Sequence, residues 1–220
     1  MKIRCVLNFG LSLAVAFGLA CSSYGQGSKT LYENNFEKAS LDNVPDDLLI
    51  LEGAFAVKQD GTNKFLELPG TPPETFGALF GPTEPDGVAV SARIHGTGKG
   101  RRFPTFAVSL NGAGGYRLQV SPAKKSLELY KADLVKSVVS FDWQSDKWTL
   151  FRLQVRKVKD GEWKVEGKAW TQGSPEPAWQ ITVDEKEAPL AGRAGLWGSP
   201  YAGTPIRFDD LVVSQVGAPK

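Results

Sequence analysis

Apolar and polar residues alternate along much of the chain between Leu31 and Val216. Val90, Ala92 and Ile94 stand against Ser91 and Arg93, and Tyr116, Leu118 and Val120 against Arg117 and Gln119. Leu127 and Leu129 likewise stand against Glu128 and Tyr130, and Phe151, Leu153 and Val155 against Arg152, Gln154 and Arg156. A period of two is the signature of strands with one side on a core and the other in water. The segments are short and their punctuation is regular. Ala54–Val57 and Lys64–Leu68 flank Gln59-Asp60-Gly61-Thr62-Asn63, and 148–158 and 163–171 flank Asp160-Gly161, a strong hairpin signal.

Further strands are predicted over 88–94, 105–110, 116–120, 126–131, 180–183, 194–197 and 206–213, with glycine-rich or proline-containing turns between several of them. Helical periodicity is nearly absent, and 132–139 is the one short helical candidate. The stretch Gly70–Asp86 holds four prolines, which predicts a loop without a regular element. Many short antiparallel strands imply an all-β fold, a two-sheet sandwich or jelly roll.

The N-terminus differs from the rest. Lys2 and Arg4 precede a mostly apolar run, Val6–Ala20, and Ser23-Tyr24-Gly25 offers small residues where a signal peptidase cuts, so residues 1–25 read as an export signal. The run is shorter than the roughly 20 residues that span a bilayer, and charges interrupt every later apolar stretch. Gly18-Leu19-Ala20-Cys21 offers a second reading, a lipoprotein signal with Cys21 as the anchor, although Gly18 stands where a leucine-like residue is usual. Both cysteines, Cys5 and Cys21, fall in this leader, so residues 26–220 contain none. Their stability must come from a core, and one β-sandwich domain accounts for that length. The leader carries two cations and no acid, so its removal takes the formal net charge from +2 to zero. A neutral protein is a poor partner for nucleic acid or an anionic membrane.

Three segments carry a family likeness: Leu31-Tyr32-Glu33-Asn34-Asn35-Phe36-Glu37; Gly115-Tyr116-Arg117-Leu118 with Leu127-Glu128-Leu129-Tyr130-Lys131; and Gly192-Arg193-Ala194-Gly195-Leu196-Trp197 followed by Phe208-Asp209-Asp210-Leu211-Val212-Val213. In order and spacing they resemble the concanavalin A-like lectin/glucanase superfamily, in its laminin G-like and 3-keto-disaccharide hydrolase-like branch. The resemblance implies a two-sheet antiparallel jelly-roll sandwich with adjacent first and last strands, one curved face, and an oligosaccharide or polysaccharide as ligand. It also implies a structural calcium near the join of those strands, where Asn35, Glu37, Asp209 and Asp210 supply hard oxygen ligands.

The polar sides of the alternating segments give the candidate ligand face: Arg93, Arg117, Gln119, Glu128 and Tyr130. Guanidinium forks, an amide, a carboxylate and an aromatic ring suit a hydroxyl-rich ligand. An ordinary solvated sheet face has the same composition, with Arg117 and Glu128 as a cross-strand ion pair. Trp163 and Trp170, an odd number of residues apart, must point to opposite sides of one strand, and the glycines around Trp197 suggest a structural role for it. Catalytic signatures are missing. His95 is the sole histidine, and no G-x-S-x-G elbow, Walker A loop or dinucleotide fingerprint occurs. The E-x-D-x-x-E strand of the superfamily's glucanases is absent as well. Three readings remain: a carbohydrate-binding module without turnover, a glycoside hydrolase-like enzyme using Glu128 as acid or base, and a structural or protein-interaction module.

Overall fold

The structure is a computed structural model that describes residues 29–70, 74–200 and 203–217, so both cysteines and the predicted leader lie outside the described residues. Fifteen strands follow in order: β1 (Thr30–Asn34), β2 (Leu49–Glu52), β3 (Ala56–Asp60), β4 (Asn63–Leu68), β5 (Phe76–Glu84), β6 (Val88–Gly96), β7 (Thr105–Leu110), β8 (Tyr116–Ser121), β9 (Ser126–Lys131), β10 (Leu134–Ser140), β11 (Lys147–Lys159), β12 (Glu162–Thr171), β13 (Ile181–Glu185), β14 (Gly192–Ser199) and β15 (Ile206–Gln215). They form two antiparallel sheets. The first runs β13-β12-β11-β6-β15-β4-β3, with β1 also pairing β15; the second runs β10-β9-β8-β7-β14-β5-β2. This is a jelly-roll sandwich, and its first and last strands are neighbours, Tyr32 opposite Val213 and Asn34 opposite Leu211.

The alternation read from the sequence sorts the side chains as expected. Val88, Val90, Ala92 and Ile94 of β6, Phe151, Leu153 and Val155 of β11, and Phe208 of β15 face Leu118, Val120, Leu127, Leu129 and Phe106 of the other sheet, all essentially shut from water. Phe106 and Phe151 meet edge-to-face across the sandwich, 5.9 Å between ring centroids. Each such side chain contributes about 1.5–3 kcal/mol by burial. Gly167 of β12 marks a close approach: a Cβ there would lie 2.7 Å from Leu118 Cδ1, so only a glycine lets the two sheets close at this point.

Both predicted hairpins form, with Gly61 and Gly161 at φ +59° and +73° in their two-residue turns. Two predictions need correction. The helical candidate over 132–139 is instead β10, an edge strand hydrogen-bonded along β9. Val135, Val138 and Val139 are β-branched and favour the extended chain once an unpaired edge is available. The proline-containing stretch 70–86 holds β5, which lies between β14 and β2. The residues that pair on both edges, Gly77 to Leu79, contain no proline, and Pro82 follows Gly81, whose φ of +71° bends the strand where the register to β14 shifts.

Candidate functional site

Each sheet has an outer face, and the predicted ligand residues are divided between them. Arg117 and Gln119 of β8 and Glu128 and Tyr130 of β9 come together on the outer face of the second sheet. Arg93 does not join them, because it belongs to β6 in the first sheet and faces away on the opposite side of the molecule.

On the second sheet, strand register lines up three cross-strand rows. Tyr130, Arg117, Ser109 and Gly195 form one; Glu128, Gln119, Ala107, Trp197 and Gly77 the next. Ser126 and Ser121 pair beside them, and Thr105 pairs with Ser199, whose hydroxyl lies 3.0 Å from that of Thr75. The small residues in these rows make room for the large ones. The indole of Trp197 lies flat over Gly77, where a Cβ would come 2.8 Å from two ring carbons, and its N–H donates to Ser109 Oγ at 2.8 Å. Sequence reasoning gave Trp197 a structural role. Its contacts with Gly77 and Ser109 fit that role, and alternation with the core residues Ala194 and Leu196 places the ring on the outer face.

The Arg117 guanidinium lies 4.8 Å from the centroid of the Tyr130 ring and 6.0 Å from that of Trp197. Such stacking holds the planar fork in place. Arg117 and Glu128 do not pair with each other. Glu128, 2% exposed, accepts from Ser126 Oγ at 2.8 Å, from Ser121 Oγ at 3.1 Å and from the Tyr130 hydroxyl, and its charge is met by Lys124 Nζ at 3.1 Å. Burial raises the Glu128 carboxyl's affinity for a proton, but the hydrogen bonds from Tyr130, Ser126 and Lys124 outweigh it and hold the group below its ordinary value. The same contact and burial push the Tyr130 hydroxyl up to about 12. Glu128 is therefore an ionised, fully engaged carboxylate. A general acid requires the opposite shift.

Thr75, Thr105, Arg117, Gln119, Trp197 and Ser199 surround a depression of about 50 Å³. Pockets that enclose small molecules measure about 300–1,000 Å³, so this face is a platform with a notch rather than a cavity. A larger cleft of about 670 Å³ lies between Asn34, Asn35, Lys38, Pro45 and Asp210 at the join of β1 and β15. It lacks aromatic lining, and two of its residues belong to the predicted calcium set. The oxygens of that set already have donors in this arrangement. Asn35 Oδ1 accepts from Glu37 N at 3.3 Å and Glu37 Oε1 from Lys64 N at 3.1 Å. Asp209, wholly buried, accepts from Asn63, from Arg93 at 2.6 Å and from the backbone N–H of Asp210, while the Asp210 carboxylate lies 3.0 Å from Arg93 Nε. Arg93 supplies the positive charge that calcium would bring. Among the described residues no group of three or more His, Cys, Asp and Glu side chains assembles.

On the outer face of the first sheet most arginines, though not Arg152, are answered in the same way. Arg156 pairs with Glu166 at 2.8 Å, and Arg207 with Asp60 at 3.2 Å and Glu67 at 3.3 Å. Trp148 carries Arg93 on its ring face at 4.6 Å and packs beside His95. Trp170 faces outward here too, whereas Trp163 takes the opposite parity, as predicted.

No family model and no curated protein matches the chain. Solved structures of the same fold do. A carbohydrate binding module, CBM66, from Bacillus subtilis superposes with a TM-score of 0.54 at 12% identity, over 77% of this chain and 96% of that one. The Ca²⁺/Man2-bound exoplasmic/lumenal domain of VIP36 gives 0.55 at 10% identity, over 82% and 87%. The catalytic domain of a glycoside hydrolase family 131 protein from Coprinopsis cinerea gives 0.52 at 10% identity, over 86% and 98%. At these identities the likeness establishes the jelly roll alone.

Proposed function

We propose that the protein is an exported, single-domain carbohydrate-binding module, residues 26–220, that holds a saccharide on the outer face of the second sheet without turning it over. The observation that carries this reading is the cluster on two adjacent rows in which the Arg117 guanidinium lies against the rings of Tyr130 and Trp197. A partly buried indole lying over Gly77 on the sheet offers its outer face to the apolar side of a pyranose. The neighbouring amide, hydroxyls and guanidinium offer hydrogen bonds to ring hydroxyls. Neighbours of the same fold that are named for carbohydrate binding or hold Man2 support the ligand class, and the N-terminal leader supports export.

A glycoside hydrolase-like activity is the second reading, supported by the catalytic neighbour. It would assign Glu128 as the acid or base, against which stand its lowered proton affinity and its occupied oxygens. Screening residues 26–220 on a broad glycan array tests both. The module reading expects selective binding that Trp197→Ala weakens at least tenfold in a folded protein, with no sugar release. Release abolished by Glu128→Gln would establish the enzyme, and no binding to any glycan would leave a structural or protein-interaction module.

A further inference from the structure

Each sheet buries arginine stems against its outer surface, but the charges are balanced differently. Arg93, Arg156 and Arg207 of the first sheet each have a carboxylate within 3.3 Å. Arg117 has none within ion-pair distance among the described residues, and these include every Asp and Glu of the chain. Its Nε is closed off from water without a hydrogen-bond acceptor. Glu128, the acid beside it in the rows, is neutralised by Lys124 and saturated by three hydroxyls. Arg193, outward on β14 by alternation with Ala194, likewise has no acidic partner among the described residues. Glu52, the other acid on these rows, pairs with Gly77 four strands from Arg117, so the positive charge at the notch stays unanswered locally, on a guanidinium that two aromatic rings hold in place.

The notch gives that charge a receptor. Arg117, Gln119, Trp197 and Ser199 border a space of about 50 Å³. A water molecule occupies about 30 Å³ of liquid, so the notch admits a substituent the size of a carboxylate but not a sugar ring. A planar fork lacking its own carboxylate is the natural partner of an oxyanion with two oxygens on one edge.

On the reading that this face binds saccharide, we infer that the saccharide is acidic: a uronate carboxylate or a sulfate ester enters the notch and pairs with Arg117, while its sugar ring lies on Trp197. The Arg152 guanidinium on the first sheet also has an unpaired Nε and no carboxylate within ion-pair distance, but no aromatic ring among the described residues stacks on it.

Matched pairs of ligands test the inference by titration calorimetry. Oligogalacturonates are compared with their carboxyl-reduced counterparts, and sulfated galactan oligosaccharides with their desulfated ones. The expected result is at least tenfold tighter binding of the acidic member of one pair, weakening with added salt. The pair that shows it identifies carboxylate or sulfate as the source. Arg117→Gln should remove the difference between the two members. Gln119→Glu, which keeps the arginine and places a carboxylate beside it, should do the same, and it stands in if the first variant fails to fold. Equal binding of both members overturns the inference and leaves the saccharide reading standing. So does failure of every pair alongside selective binding of neutral glycans on the array. If no glycan binds at all, both fall.

Discussion

On the outer face of the first sheet, Arg93, Arg156 and Arg207 each press against a carboxylate of a neighbouring strand; on the second sheet, Arg117 is pressed between aromatic rings and meets none. Both faces are built on the same antiparallel geometry, and both bury the stems of long side chains. A face whose charges answer one another holds strands in register but leaves nothing for a ligand. A face with a fixed, unanswered donor beside a flat aromatic surface has already met part of the entropy of binding, because its groups are ordered before the ligand arrives. The difference teaches where to look in a sandwich of this kind: not for a roomy cleft such as the one at β1 and β15, but for the polar groups whose partners are missing.

The largest effect expected is on the closed face. Asp209→Ala leaves the partly buried Arg93 and the Asn63 amide without their common acceptor. Removal of one partner of a buried pair costs about 3–5 kcal/mol, and the remaining contact to Asp210 should keep the loss near 3 kcal/mol. Chemical denaturation checks the value. Glycan affinity of the folded fraction should be unchanged, and a loss of affinity would mean that the two faces are not independent.

Glu128→Gln comes second, because an amide cannot accept from Tyr130, Ser121 and Ser126 as a carboxylate does. The expected cost is about 2 kcal/mol at neutral pH. The sign with pH follows from a folded-state value below the ordinary 4.5: the contribution of Glu128 is fully present above that pH and is lost as pH falls through the folded value. The wild-type and Glu128→Gln denaturation curves should therefore converge as pH falls below 4.5, and parallel curves would show that the carboxylate charge is not what the network holds. Glu166 on the other face is lowered by Arg156 and Gln154 against its burial and adds its own acid loss, which the substitution leaves in place.

Much of this was legible in the sequence, and the parts that were not share one physical reason. Alternation told which side chains face water, so Arg117, Gln119, Glu128 and Tyr130, on strands joined by a short connection, were grouped correctly. It did not tell which sheet a strand joins. In a sandwich both sheets turn their apolar sides to one core, so Arg93 obeys the same in-and-out rule as Arg117 from the far side of the molecule. Sheet membership depends on non-local pairing: β6 lies between β11 and β15, 50 or more positions away along the chain for most of its partners. Asp209 shows the same limit, since oxygen ligands that look suited to calcium in sequence are occupied by an arginine that only the pairing of β6 with β15 brings near. The strand within 70–86 was hidden because its prolines sit outside the residues that pair on both edges.

Third in size is a change that touches the open face through its scaffold. Gly77→Ala places a methyl group 2.8 Å from Trp197 Cε3 and Cζ3, closer than carbon atoms approach, and the indole must tilt or lift from the sheet. Because Trp197 lies on the outer face rather than in the core, it can do so at the low end of the usual overpacking cost, about 1 kcal/mol. Its orientation as a stacking surface is lost, and a tenfold weaker glycan affinity, about 1.4 kcal/mol, is expected. Shifted tryptophan fluorescence together with unchanged affinity would mean that the indole is not a contact surface.

The smallest effect returns to the closed face. His95 sits beside Trp148, with its Nε2 3.3 Å from an Asp146 carboxylate oxygen. Burial lowers its proton affinity below the ordinary 6.5; Asp146 opposes the shift and Arg207 adds to it. The unfolded chain then binds a proton that the folded protein resists, so stability is full above pH 6.5 and declines as pH falls through that value. The ring is partly solvated and the acid beside it is exposed, which limits the loss to about 0.5 kcal/mol. Denaturation at pH 7.5 and pH 5.5, compared between wild type and His95→Gln, isolates the term, because the carboxylates contribute equally to both. His95→Gln should flatten the dependence over this interval without altering glycan affinity. A decline equal to that of the wild type would show that solvent reaches the imidazole freely, and that the closed face is less tightly sealed around Trp148 than its ion pairs imply.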